Sequence, residues 1–100
     1  MPTSNVVFHR LAAREYRSAR DWYVARSTEV AKRFHASVDR AVDRIAAQAE
    51  SLPRLLGEYR YVRVGRFPYL LIFRQIAGKE IVILAVAHTS RRPGYWRRRK

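Results

Sequence analysis

Apolar residues recur at helical spacing as far as residue 52 and at strand spacing beyond it. Ahead of the helical part, Asn5-Val6-Val7-Phe8-His9 is short and β-rich, and predicts a first strand. Ala12, Tyr16, Ala19 and Tyr23 then step by four, three and four, with Trp22 widening the stripe, as on one face of an amphipathic helix. Ser27-Thr28-Glu29 supplies an N-cap hydroxyl and an early carboxylate for a second helix. Its stripe of Val30, Phe34, Val38, Ala41, Ile45, Ala49 and Leu52 runs until Pro53 stops it. So short a link predicts an antiparallel helical hairpin.

Three strands are predicted next. Arg60 to Val64 alternates, with Tyr61 and Arg63 on one face and Val62 and Val64 on the other. Tyr69 to Arg74 and Ile81 to Ala87 are almost wholly apolar runs parted by Ala77-Gly78-Lys79-Glu80, which reads as the turn of a central hairpin buried on both sides. The order β-α-α-β-β-β places a helical hairpin on one face of a mostly antiparallel four-stranded sheet, an α+β fold.

One hundred residues, 48% of them hydrophobic, predict one domain over 1–100 that buries roughly 60 to 70% of its extended-chain surface, with a basic C-terminal tail over 89–100. Without cysteine, disulfides and thiolate metal sites are excluded and the fold rests on packing. The start of the chain has no export-signal pattern and no apolar run approaches the roughly 20 residues of a membrane span, so a cytoplasmic protein is expected, with no membrane partner.

Charge is uneven along the chain. Residues 1–50 hold nine Lys or Arg against six Asp or Glu, a net of +3, and residues 51–100 hold twelve against two, a net of +10. The last thirteen residues, His88 to Lys100, carry six cations and the rings of Tyr95 and Trp96 directly after the most strand-like run. Arginine brings both a charge that displaces counterions from phosphate and a planar group that pairs or stacks, so this surface suits an anionic partner. The plain alternative is a solvated basic end.

Most enzyme classes find no support. His9, His35 and His88 are far apart in sequence, and only His35 has a carboxylate one helical turn away, Asp39, so no metal site is expected. Gly57, Gly65, Gly78 and Gly94 stand singly, as turn glycines do, and form no nucleotide cradle; no cofactor is expected. No serine has the strand-to-helix context of a hydrolase nucleophile, and the adjacency of His88, Thr89 and Ser90 is a weak sign alone. Metal-free RNA cleavage through the 2′-hydroxyl needs a base, cations on the phosphate and an acid. Arg60, Arg63, His88 and Arg91 supply part of that set, with Glu58 or Tyr95 as partners, but arginine is a poor base. Arg60, Arg63 and Arg66 read equally well as solvated edge-strand charges.

These features together resemble the RelE/ParE superfamily of bacterial type II toxin-antitoxin toxins, also described as plasmid stabilisation proteins. The resemblance rests on the Ala12 to Tyr23 helix ending in Asp21-Trp22-Tyr23, the Phe34 to Ile45 helix, and Arg66-Phe67-Pro68-Tyr69 leading into Leu70 to Arg74. Ala85-Val86-Ala87-His88 running into Arg91-Arg92-Pro93-Gly94-Tyr95-Trp96 completes it. The ParE-like branch is the nearer one. Nuclease members carry basic residues on the second strand, an Arg opening the third, an Arg after the fourth and a terminal tyrosine or histidine. Arg60 and Arg91 fit two of these places, but Tyr69 stands where the third-strand Arg belongs and Tyr95 falls short of the terminal position. The resemblance implies a toxin that binds DNA gyrase and traps its cleaved DNA complex without chemistry of its own, neutralised in a hetero-oligomer by a cognate antitoxin. The alternative is a ribosome-dependent mRNA endoribonuclease using Arg60, Arg63, His88, Arg91 and Tyr95. A third is a basic nucleic-acid-binding module without toxicity. The expected target- or antitoxin-covered surface is Arg60, Arg63, Arg91, Arg92, Tyr95 and Trp96, with Trp22, Phe34, Tyr69 and Phe73 assigned to the core or its margin.

Overall fold

The computed structural model describes residues 5–78 and 80–99; Lys79 of the expected turn and the terminal Lys100 lie outside the described residues. Strand β1 (Asn5–Phe8) is followed by helices α1 (Arg10–Val24) and α2 (Thr28–Gln48), a single 3-10 turn (Ala49–Ser51), and strands β2 (Arg54–Leu56), β3 (Tyr59–Arg63), β4 (Tyr69–Gln75) and β5 (Glu80–His88). The sheet order is β1-β5-β4-β3-β2, parallel between β1 and β5 and antiparallel elsewhere. Two helices on a mostly antiparallel sheet make this an α+β fold with five strands rather than four. The additional strand, β2, has three residues, too few to establish a period, and it joins the sheet as the partner of β3.

Local chemistry sets both helix starts. The His9 imidazole accepts from the Leu11 N–H at 3.0 Å to cap α1, and the Ser27 hydroxyl accepts from the Val30 N–H at 3.2 Å to cap α2. The apolar stripe of α2 outlasts its α-helical geometry. Beyond Gln48 the backbone tightens into the 3-10 turn, which still carries Ala49 inward and leads to the buried Leu52.

One core lies between the helices and the facing side of the sheet. Phe34, Val38, Ala41 and Ile45 of α2 and Ala12 and Ala19 of α1 meet Val62, Leu71, Phe73, Ile81, Ile83 and Val86. Phe34 is its centre, with ring centroids of Tyr23, Phe67 and Tyr69 at 5.1, 5.2 and 5.5 Å. A bulge in the β4–β5 pairing inserts Leu84 between Ile83, opposite Phe73, and Ala85, opposite Ile72. The bulge shifts the alternation, so Val86 joins Ile81 and Ile83 on the helix side while Ala85 and Ala87 face away.

That opposite face holds a second, smaller core. Trp96, only 2% exposed, lies with Ile72, Ala85 and Ala87, and is flanked by Tyr59, Tyr61, Leu70 and Tyr95. The two alanine side chains leave the space that the indole fills. Phe34 and Phe73 are buried and Tyr69 is half-buried, whereas Trp22 is 52% exposed, stacked under the Arg26 guanidinium at 3.6 Å. No described helix is long and apolar enough to cross a membrane.

Candidate interaction surface

The surface is organised by how the free edge of β5 is covered. β1 pairs with β5 from Asn5 opposite Glu80 as far as Phe8 opposite Ile83, so the backbone from Leu84 onward has no strand on that side. Side chains take the strand's place. Glu15 of α1 accepts from the Val86 N–H at 3.0 Å, and Arg99 donates to the Leu84 carbonyl at 2.9 Å. Both Arg99 terminal nitrogens also donate to the Glu15 carboxylate at 2.9 Å, and the Tyr95 hydroxyl donates to it at 2.8 Å. A bidentate arginine and a tyrosine on one carboxylate thus bind the last turn of the chain to α1 and β5. Desolvation, together with the hydrogen bond to Glu15, pushes the Tyr95 phenol well above its ordinary range, and the same carboxylate raises Arg99 further.

The expected site residues do not form one cluster. Trp96, expected on the surface, is buried because the second sheet face has no helix to cover it. Arg60 and Arg63 separate across the sheet: Arg60 shares the helix side with Val62 and donates to the Leu52 carbonyl at 2.6 Å, while Arg63 donates to the Gly65 carbonyl at 3.2 Å. Arg60 lies opposite Phe73 and His88 opposite Tyr69, four residues apart on β4 and so roughly 13 Å along the strand. Arg60 therefore stands apart from the tail.

His88 Nδ1 accepts from the Ser90 backbone N–H at 3.0 Å. A backbone N–H can only donate, so the neutral ring carries its proton on Nε2 and is a donor there rather than a base. Arg91 stacks over the Tyr95 ring at 3.8 Å. Arg60, Arg63, His88 and Tyr95 thus each spend a polar group on the protein itself. Among the described residues no group of three or more His, Asp or Glu side chains is placed to hold a metal ion.

Three of the concave regions among the described residues border the tail or the helical hairpin. One, of about 640 Å³, runs between α1 and the ends of β4 and β5, with Arg14, Trp22, Tyr69, His88 and Arg91 in its wall. Another, of about 560 Å³, follows the helical hairpin past Tyr16, Val24, Ala31 and Lys32. The third, of about 760 Å³, is formed by the tail and includes Arg92, Arg97 and Arg98. Glu15 and Arg99, which fix the tail, carry no sequence signal: the first is one of two acids in a mainly basic helix and the second belongs to a run of arginines.

A capped helical hairpin on a mostly antiparallel sheet, with a basic tail bound along the sheet edge, makes a small α+β fold. The chain belongs to the family described as ParE toxin of type II toxin-antitoxin system, parDE, whose model matches residues 6–93. It is also similar to a solved chain from the chromosomal ParDE TA system of P. aeruginosa, at 25% identity and a TM-score of 0.73, over 85% of this chain and 95% of that one. No curated protein matches it.

Proposed function

We propose that this ParE-family toxin arrests growth by binding DNA gyrase and holding its cleaved DNA complex, and that a cognate antitoxin neutralises it. The family match over residues 6–93 carries the reading. The similar solved chain is named for a toxin-antitoxin system, which supports an antitoxin partner here. An inhibitory binder rather than a nuclease is supported by Arg60, Arg63, His88 and Tyr95, each of which already engages a polar atom within the protein. The exposed Trp22 and Val24 beside the hairpin, with Arg20 and Lys32 nearby, suit an amphipathic acidic antitoxin segment that folds as it binds.

Pulse labelling after induction of the chain alone tests this. DNA synthesis should fall within minutes while translation continues, and co-expression of the antitoxin should restore growth. A first fall in translation would point to mRNA cleavage and overturn the gyrase assignment.

A further inference from the structure

The tail holds three arginines that the fold displays without using. Trp96 is buried in the second core and Arg99 is fixed on Glu15, so the segment between them has little freedom. Two successive tight turns, Arg97 N–H to the Gly94 carbonyl and Arg99 N–H to the Trp96 carbonyl, both at 3.0 Å, leave Arg97 and Arg98 exposed. Gly94 has φ +83°, and a Cβ there would lie 2.8 Å from Cδ of Arg97, so the Arg97 side chain runs back across the glycine. Arg92, Arg97 and Arg98 line one cleft with Tyr59, Pro93 and Tyr95. No acidic side chain lines it, and none of the three arginines forms an ion pair among the described residues.

We infer that Arg92, Arg97 and Arg98 form a binding site for the sugar-phosphate backbone of duplex DNA, through which the toxin itself contacts nucleic acid. Arg97 and Arg98 on an anchored turn, with Arg92 lining the same cleft, lose less side-chain and backbone freedom on binding than arginines on a flexible end, and each neutralised phosphate releases counterions. Backbone rather than base contact follows from the rings. Tyr59 packs edge-on to Trp96 at 4.6 Å, and Tyr95 is covered by Arg91 at 3.8 Å, so the aromatic surface is already committed. Contact of this kind is insensitive to sequence. It does not depend on gyrase being the target.

The test uses the purified full-length chain and a labelled random-sequence 20-base-pair duplex, with anisotropy titrations between about 50 and 300 mM NaCl. The triple variant Arg92→Ala, Arg97→Ala, Arg98→Ala should lower the slope of log affinity against log salt by roughly 2 to 3. Arg17→Ala, Arg33→Ala, Arg44→Ala removes the same charge from the helices and should leave the slope nearly unchanged. Replacing the three tail arginines by lysine should keep most of it, which separates loss of charge from loss of fold. Equal losses in the tail and helix variants would overturn the site, reducing it to the attraction of the whole chain's charge. Tighter binding to single strands, lost in Tyr59→Ala, would overturn duplex backbone contact. Because neither gyrase nor antitoxin is present, the result stands apart from the growth-arrest experiment.

Discussion

Gly65 shows how narrowly one residue constrains the fold. It follows β3 with φ +51°, and a Cβ there would lie 2.8 Å from the buried Ser37 hydroxyl of α2. Gly65→Ala adds a left-handed backbone penalty of about 1 kcal/mol to a contact that Ser37 cannot easily relieve, since its hydroxyl also accepts from Arg40. The expected loss is about 2 kcal/mol in urea unfolding, with no change in the slope against denaturant. A variant as stable as the parent would mean that the loop moves away from α2 without cost. Trp96→Ala makes a larger change at one position. It empties the slot over Ala85 and Ala87, and should cost about 3 to 5 kcal/mol in the same measurement. If Trp96 instead belonged to an exposed binding surface, its removal would leave stability within about 0.5 kcal/mol of the parent.

At the scale of elements, the unpaired stretch of β5 is satisfied by α1 and the tail together, and this makes stability depend on pH at the alkaline end. Tyr95 titrates higher in the folded chain than in the unfolded one, because burial and the Glu15 carboxylate both oppose its ionisation. Below about pH 10 both states keep the proton and the contribution is complete; above it the unfolded state releases the proton first, so stability falls as pH rises. Tyr16, Tyr23 and Tyr69 shift in the same direction through burial and add to the decline. Tyr95→Phe should therefore lose about 1 kcal/mol at pH 8 yet decline less steeply between pH 9 and roughly 11. An unchanged alkaline slope would show that the Glu15–Tyr95 bond is not part of the folded state. The helices and four of the strands were legible in the sequence: the helices because each repeats its period several times, α2 through five apolar positions from Val30 to Ile45, and β4 and β5 as long apolar runs. β2 was not legible, being three residues without a period. Nor was the Glu15, Tyr95 and Arg99 cluster, because the carboxylate stands 80 residues from the phenol and 84 from the guanidinium and meets them only once α1 lies along the edge of β5. Trp96 was misread for a related reason: a tryptophan among arginines resembles a surface aromatic until a second sheet face is found to need covering.

Over the whole molecule, a net charge of +13 works against compactness, and few carboxylates offset it. Of the three arginine ion pairs among the described residues, Arg20–Asp21 and Arg74–Glu58 include an exposed carboxylate, and only Arg99–Glu15 is largely shielded from solvent. Added salt screens the exposed attractions, which are worth little, and also the repulsion among many exposed arginines, while the shielded pair changes least. Repulsion is the larger sum, so the isolated chain should gain stability, on the order of 1 kcal/mol, as NaCl rises from about 20 to 300 mM. Part of that gain belongs to the tail: Arg97→Gln with Arg98→Gln should stabilise the chain at low salt and reduce its response to salt. Chloride is the appropriate anion, because phosphate or sulfate bound at the arginine cleft would stabilise the native state by mass action and obscure the screening. A fall in stability with NaCl would mean that surface pairs outweigh repulsion, and the unpaired arginines would then carry no conformational cost. A rise that persists undiminished in the double variant would locate the repulsion elsewhere on the surface. With the gain seen and reduced in the variant, the free chain holds its tail arginines at a cost to its own stability, which an anionic partner removes on binding.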